Sequence, residues 1–156
     1  MKLSTRARYA LRAMLALARL GADNGPVNLN IISEKTSISR RYLEQVLIPL
    51  KNANLVRGVS GKKGGYLLAK PAEQIRIGDI VEAAIGKINI VECVNEPGTC
   101  SETAWCECRP LYSMINTKIV NAMNEFTLAD LSDEDWMERI NADLNVTDTW
   151  RYCPPT

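Results

Sequence analysis

The chain has 156 residues, 46% of them hydrophobic and 24% charged, with five cysteines and no histidine. That length supports an ordinary domain with a core of its own, so no disulfide framework is needed, and the longest apolar run, residues 13–20, is short and carries Arg19, which excludes a membrane span. The net charge of +1 conceals an asymmetry: residues 1–70 hold 13 Lys and Arg against 3 acids, and residues 71–156 hold 6 against 15, so a basic first half suited to phosphate precedes an acidic remainder.

Leu3, Ala7, Ala10, Leu11, Met14, Leu17 and Ala18 recur at the helical period, with Ser4 or Thr5 to cap and Gly21 to stop. The opposite face of this first helix carries Arg6, Arg8, Arg12 and Arg19 with no acid before Asp23, an arrangement suited to phosphate contact. Asn24-Gly25-Pro26 then breaks the chain. A short helix over 29–36, a Ser37-Ile38-Ser39 turn and a second helix from Arg40 have helix-turn-helix spacing. Ser39 is the expected N-cap, and Ile38 can pack on Leu43 as a hydrophobic staple. Leu43, Val46, Leu47 and Leu50 form the core stripe, while Arg40, Arg41, Tyr42, Glu44 and Gln45 lie at the end that a recognition helix offers to base edges. Pro49 removes a backbone donor and predicts a kink or an early end.

Residues 55–59 and 66–69 predict two strands around Ser60-Gly61-Lys62-Lys63-Gly64-Gly65. Arg57, Lys62 and Lys63 supply charge, and Gly64 and Gly65 let a backbone approach phosphate; the spacing of a nucleotide-binding phosphate loop is absent. After a helix-turn-helix, such a hairpin is a wing. The expected class is therefore mainly α with a small β-hairpin wing: a winged helix-turn-helix over 1–72, a short helix and cysteine-rich loop over 73–109, a long dimerisation helix over 110–130, and a C-terminal helix and tail over 131–156. In the second unit Ile77, Ile80, Val81, Ala84 and Ile85 give the short helix, closed by Gly86, and in the third Pro110 opens a helix with Leu111, Ile115, Ile119, Ala122, Met123 and Phe126 on one stripe. Such a stripe either folds back on its own core or pairs with a second copy, and a homodimer suits a palindromic double-stranded DNA operator. In the last unit Ser132 before three acids predicts a capped helix start ahead of Trp136, Ile140 and Leu144. Trp150, Tyr152 and a lone Cys153 lie in the tail, the cysteine a bystander thiol.

Four cysteines, Cys93, Cys100, Cys106 and Cys108, crowd a Gly- and Pro-containing stretch. Gathered thiolates suit iron-sulfur clusters, zinc or copper(I), and an odd cysteine count with this crowding fits a reducing cytoplasm. A metal-free thiol–disulfide switch is the second expectation. Structural zinc in a protein-interaction module is the third, although zinc modules pair ligands two to four apart across a long spacer. An enzyme is not expected, because a cysteine nucleophile here lacks a histidine base.

Met1-Lys2-Leu3-Ser4, Arg8-Tyr9-Ala10-Leu11, Ala13-Met14, Ile38-Ser39, Tyr42-Leu43-Glu44-Gln45, Leu55-Val56 and Gly64-Gly65-Tyr66-Leu67-Leu68-Ala69 together resemble the family of small winged-helix regulators that includes IscR, NsrR and CymR. The resemblance covers roughly residues 1 to 130. It implies a homodimer with crossed long helices and, in the cluster-bearing branch, three cysteines before the dimer helix, here Cys93, Cys100 and Cys106. It thus implies a transcriptional regulator that senses iron-sulfur status or redox and nitrosative stress, with a 2Fe-2S cluster preferred to 4Fe-4S. Two departures stand out. Six residues separate Cys93 from Cys100, one more than the IscR-like pattern has, and Arg109 stands where that pattern has a ligating histidine. The acidic ligand that NsrR-like members take from the partner's first helix is matched here by Arg8. Cys108, or else Glu107, is left as the fourth ligand.

Overall fold

In the computed structural model, which describes residues 3–21, 25–133 and 135–144, the first helix, α1, spans Thr5–Gly21. The Ser4 hydroxyl accepts the Ala7 N–H at 3.1 Å, so Ser4 rather than Thr5 caps it. Ala7, Ala10, Ala13, Met14 and Leu17 are buried along one face, and Arg6, Arg8, Arg12 and Arg19 are exposed on the other. Three alanines in the buried stripe let neighbouring helices approach α1 closely, and it packs on α2 (Leu29–Thr36), α3 (Arg40–Asn52) and α4 (Ile77–Ile85).

The helix-turn-helix follows from its local chemistry. Ser37 takes a left-handed conformation (φ 54°) between α2 and α3, and the Ser33 hydroxyl donates to the Ile38 carbonyl across the turn at 2.6 Å. Ser39 caps α3 by accepting the Tyr42 N–H at 3.4 Å, while Ile38 and Leu43 are buried in one cluster, as a staple requires. α3 does not end early at Pro49. α3 runs on to Asn52, because a proline in the last turn forfeits only the bond to the Gln45 carbonyl, on an exposed residue, and the Pro49 carbonyl still accepts the Ala53 N–H at 3.0 Å.

Strands β1 (Val56–Val59) and β2 (Gly65–Leu68) form the antiparallel wing, with Val56 opposite Leu68 and Val59 opposite Gly65. Each starts one residue away from the expected position, β1 later and β2 earlier. Val27 adds a further rung by exchanging two 2.9 Å backbone bonds with Tyr66. A side chain at Gly65 would collide with the Val27 carbonyl, and one at Gly64 with the Val59 carbonyl, so both glycines are demanded by the wing itself.

α4 ends at Gly86 (φ 87°), as its sequence predicts. Next come α5 (Glu92–Asn95), a single 3-10 turn at Pro97–Thr99, and the long helix α6 (Arg109–Glu125). After α6 the chain returns to the start of α4: the Ile77 N–H bonds to the Phe126 carbonyl at 3.0 Å and the Leu128 N–H to the Ile75 carbonyl at 2.8 Å. Thr127 and Asp130 then form a capping box for α7 (Leu128–Ser132), with the Thr127 hydroxyl and N–H both holding the Asp130 carboxylate below its usual pKa. Leu128 is fully buried, so the main core is shared by α1, α2, α3, the wing, Ile75, α4 and α7. Ser132 does not cap the last helix. Its hydroxyl is used by the Leu128 carbonyl at the end of α7, and Asp133 instead accepts the Asp135 N–H at 3.0 Å before α8 (Trp136–Leu144). Asn24, Glu134 and the tail with Trp150, Tyr152 and Cys153 lie outside the described residues.

The stripe on α6 is divided. Ile119, Val120 and Met123 pack against a second cluster of Ala7, Val81 and Ile88, whereas Leu111 and Met114 are each 50% exposed and Ile115 37%. The second half of the helix thus folds back on the chain's own core, and the first half is left exposed.

Candidate functional site

The amino-terminal end of α3 stands clear of the core. Arg40, Arg41, Glu44 and Gln45 are exposed there, with Ser39 exposed at the cap. Tyr42 differs from its neighbours: it is half-buried and packs edge-on against Tyr9 of α1, with ring centroids 5.4 Å apart. It therefore braces α3 against α1. A shallow cleft of about 290 Å³ opens beside it, lined by Arg6, Tyr42, Gln45, Val46 and Ile48. Arg8 is exposed on α1, where its guanidinium donates to the Thr5 hydroxyl at 3.2 Å. In the wing Arg57, Lys62 and Lys63 are exposed, and Gly64 and Gly65 are half-buried under the contacts already described. The expected DNA-facing cations thus occupy α1, the front of α3 and the wing, and none of them forms an ion pair among the described residues. Such a surface keeps its charge for an external polyanion.

The cysteine segment is built differently. From Val91 to Cys108 no side chain is buried. All four of its cysteines are free: Cys93 on α5 and Cys106 are half-buried, and Cys100 and Cys108 are exposed. Glu107 is exposed beside Cys108, which occupies the residue before α6. Tyr112, one turn into α6, reports on their arrangement. Its hydroxyl is pushed above the usual pKa by the charge of Cys108, then by a hydrogen bond with Cys108, by desolvation, and by the charges of Cys106 and Cys93. The strongest of these influences is that of Cys108, one turn before Tyr112. Among the described residues, no three Cys, Asp or Glu side chains are gathered tightly enough to hold a metal ion. The donor chemistry nevertheless fits a soft centre, being four free thiols on a segment without buried side chains.

The family model described as "Rrf2: Iron-dependent Transcriptional regulator" matches residues 3–134. This chain belongs to the Rrf2 family. An HTH-type transcriptional regulator of Haemophilus influenzae is 39% identical over 139 residues, covering 89% of this chain and 91% of its own. The HTH-type transcriptional regulator IscR of Yersinia enterocolitica is 37% identical over 148 residues, covering 94% and 89%. Among solved structures, CymR, the global cysteine regulator of B. subtilis, superposes with a TM-score of 0.69 at 33% identity, over 85% of this chain and 96% of its own. As an Rrf2 protein the chain is a DNA-binding transcriptional regulator with a winged helix and not an enzyme. No described helix is long and apolar enough to cross a membrane.

Arg6, expected on the phosphate-facing side of α1, lines the cleft beside Gln45. The roles of two residues at this Rrf2 site are not legible in the sequence. Arg109, which cannot ligate, donates its Nε to the Cys93 carbonyl at 3.3 Å and so ties α5 to the first turn of α6. Asn116 is buried within α6; no periodicity marks a polar residue that bonds to segments 26 and 28 positions away.

Proposed function

We propose that this Rrf2 regulator binds a palindromic operator as a homodimer and that its DNA binding responds to an iron-sulfur cluster held by Cys93, Cys100 and Cys106, with Cys108, or else Glu107, as the fourth ligand. The observation that carries the proposal is the set of four free thiols on an unburied segment leading directly into α6. When bound, a cluster, 2Fe-2S in preference to 4Fe-4S, supplies chemistry sensitive to oxidants, nitric oxide and iron supply. This chain's residues do the rest. Arg40, Arg41, Glu44 and Gln45 address base edges, Tyr42 holds their helix against α1, and Ser39, Arg8, Arg57, Lys62 and Lys63 meet phosphate, with Gly64 and Gly65 keeping the wing narrow. Leu111, Met114 and Ile115 supply an exposed apolar face for the second copy.

Anaerobically purified protein should be coloured and should carry iron and acid-labile sulfide. Cys93→Ala, Cys100→Ala and Cys106→Ala should each abolish the colour, and Cys108→Ala should weaken or shift the spectrum. Colourless anaerobic protein containing zinc sinks the cluster assignment.

A second reading, a metal-free thiol–disulfide switch, is favoured by four free thiols on a segment where, among the described residues, no three Cys, Asp or Glu side chains are gathered tightly enough to hold a metal ion, and the resemblance to CymR agrees with it. Under that reading the anaerobic protein is colourless and free of metal, and mild oxidation forms a disulfide within the segment that changes operator affinity.

A further inference from the structure

Asn116 is the one fully buried residue of α6, at 6% exposure in a helix otherwise half-buried or open. Its Oδ1 accepts the Ile90 N–H at 3.1 Å, and its Nδ2 donates to the Ile88 carbonyl at 3.2 Å. A buried amide left unpaired is costly, so these two bonds fix where residues 88–90 lie against the helix. The same Ile88 carbonyl accepts from Asn95 Nδ2 at 3.3 Å, and Asn95 ends α5, the helix that carries Cys93. The Ile88 side chain belongs to the buried cluster with Ala7 of α1 and Val81 of α4. Two residues beyond Ala7, Tyr9 packs edge-on against Tyr42 of α3. Ile88 therefore has its carbonyl on the cysteine side and its side chain on the helix that braces α3.

The geometry points to Asn116 as a latch: with Asn95 on the same carbonyl, it holds Ile88 and so transmits the state of the cysteine segment to α1 and the recognition helix. It is a positioning residue, touching neither DNA nor a cysteine thiol. The inference rests on the reading that DNA binding responds to the cysteines. A displacement of α5 shifts the sharing of one carbonyl between two amides, and the apolar residues clustered with Ile88 lie on α1, α4 and α6. That provides the local element with two arrangements that such coupling requires.

The test compares operator affinity of the reduced, metal-free protein with that of protein reconstituted anaerobically with ferrous iron and sulfide, for wild type and Asn116→Ala. It also follows iodoacetamide alkylation of Cys93 and Cys100 in the metal-free forms. Wild type should show affinities differing by at least about fivefold between the two states. Asn116→Ala, with unchanged circular dichroism and oligomeric state, should bring the two affinities together and speed alkylation of Cys93 but not of Cys100. A variant that keeps the wild-type ratio overturns the latch while leaving cysteine-responsive binding intact. Equal affinities in wild type overturn the functional reading itself, and the latch with it. Should Asn116→Ala fail to fold, Asn95→Ala, which releases α5 from the same carbonyl, decides: a lost response supports the latch, and a full response overturns it.

Discussion

The helix-turn-helix and the cysteine segment occupy one chain but are held by different forces. Leu43, Val46, Leu47 and Leu50 of α3 are buried to 1% exposure or less, and they join a cluster to which every element of the DNA-binding half contributes. Residues 91–108 bury no side chain. Their ties to the rest of the molecule include the bonds of Asn95 and Arg109, and just before them Asn116 fixes Ile88 and Ile90. A surface that must match DNA benefits from a framework that does not yield, whereas a segment that must open and close is drawn from the low-stability end of a structure. The lesson of the contrast is that the cysteine segment is secured by a few directional bonds rather than by apolar area.

The contrast can be broken from either side. Leu47→Ala should be the largest effect, destabilising the protein by about 3 kcal/mol through lost burial and a residual cavity, measured as a fall in the midpoint of chemical denaturation. Arg40→Ala should cost about 2 kcal/mol of discrimination at the base pair it contacts, whereas Lys62→Ala should weaken all sequences alike and lower the salt dependence by about one counterion, both read from operator titrations at several salt concentrations. Ser39→Ala should cost about 1 kcal/mol of stability by removing the cap of α3. Cys100→Ala should be the smallest, within about 0.5 kcal/mol of wild type in denaturation because its side chain is exposed and free. A cost for Cys100→Ala as large as that for Leu47→Ala would show that the cysteine segment is part of the folding core and end the contrast.

Much of the fold was legible because its signals are local. The bounds of α2 and α4, the Ser39 cap with its Ile38–Leu43 staple, the Gly86 stop and the wing follow from residues within one or two turns of each other. The misjudged places had competing uses nearby. Pro49 lies in the last turn of α3 and does not end the helix there, and Ser132 closes α7, which the Thr127–Asp130 capping box starts, instead of opening α8. At the candidate site the residue types were legible and their grouping was not. Thiols and arginines are visible as letters, but the turning of Tyr42 toward Tyr9 depends on how α1 and α3 cross.

By itself, then, the sequence determined the elements, the basic first half, the thiol-rich segment and the family pattern, since periodicity, capping and charge are properties of neighbours along the chain. Only the tertiary structure decided that α6 is packed in one half and open in the other, that the chain after it returns to complete the first core, and that Asn116 and Arg109 secure the cysteine segment. Those outcomes rest on bonds and contacts between residues 16 to 28 or more positions apart, whose partners are chosen by packing and leave no mark in local composition.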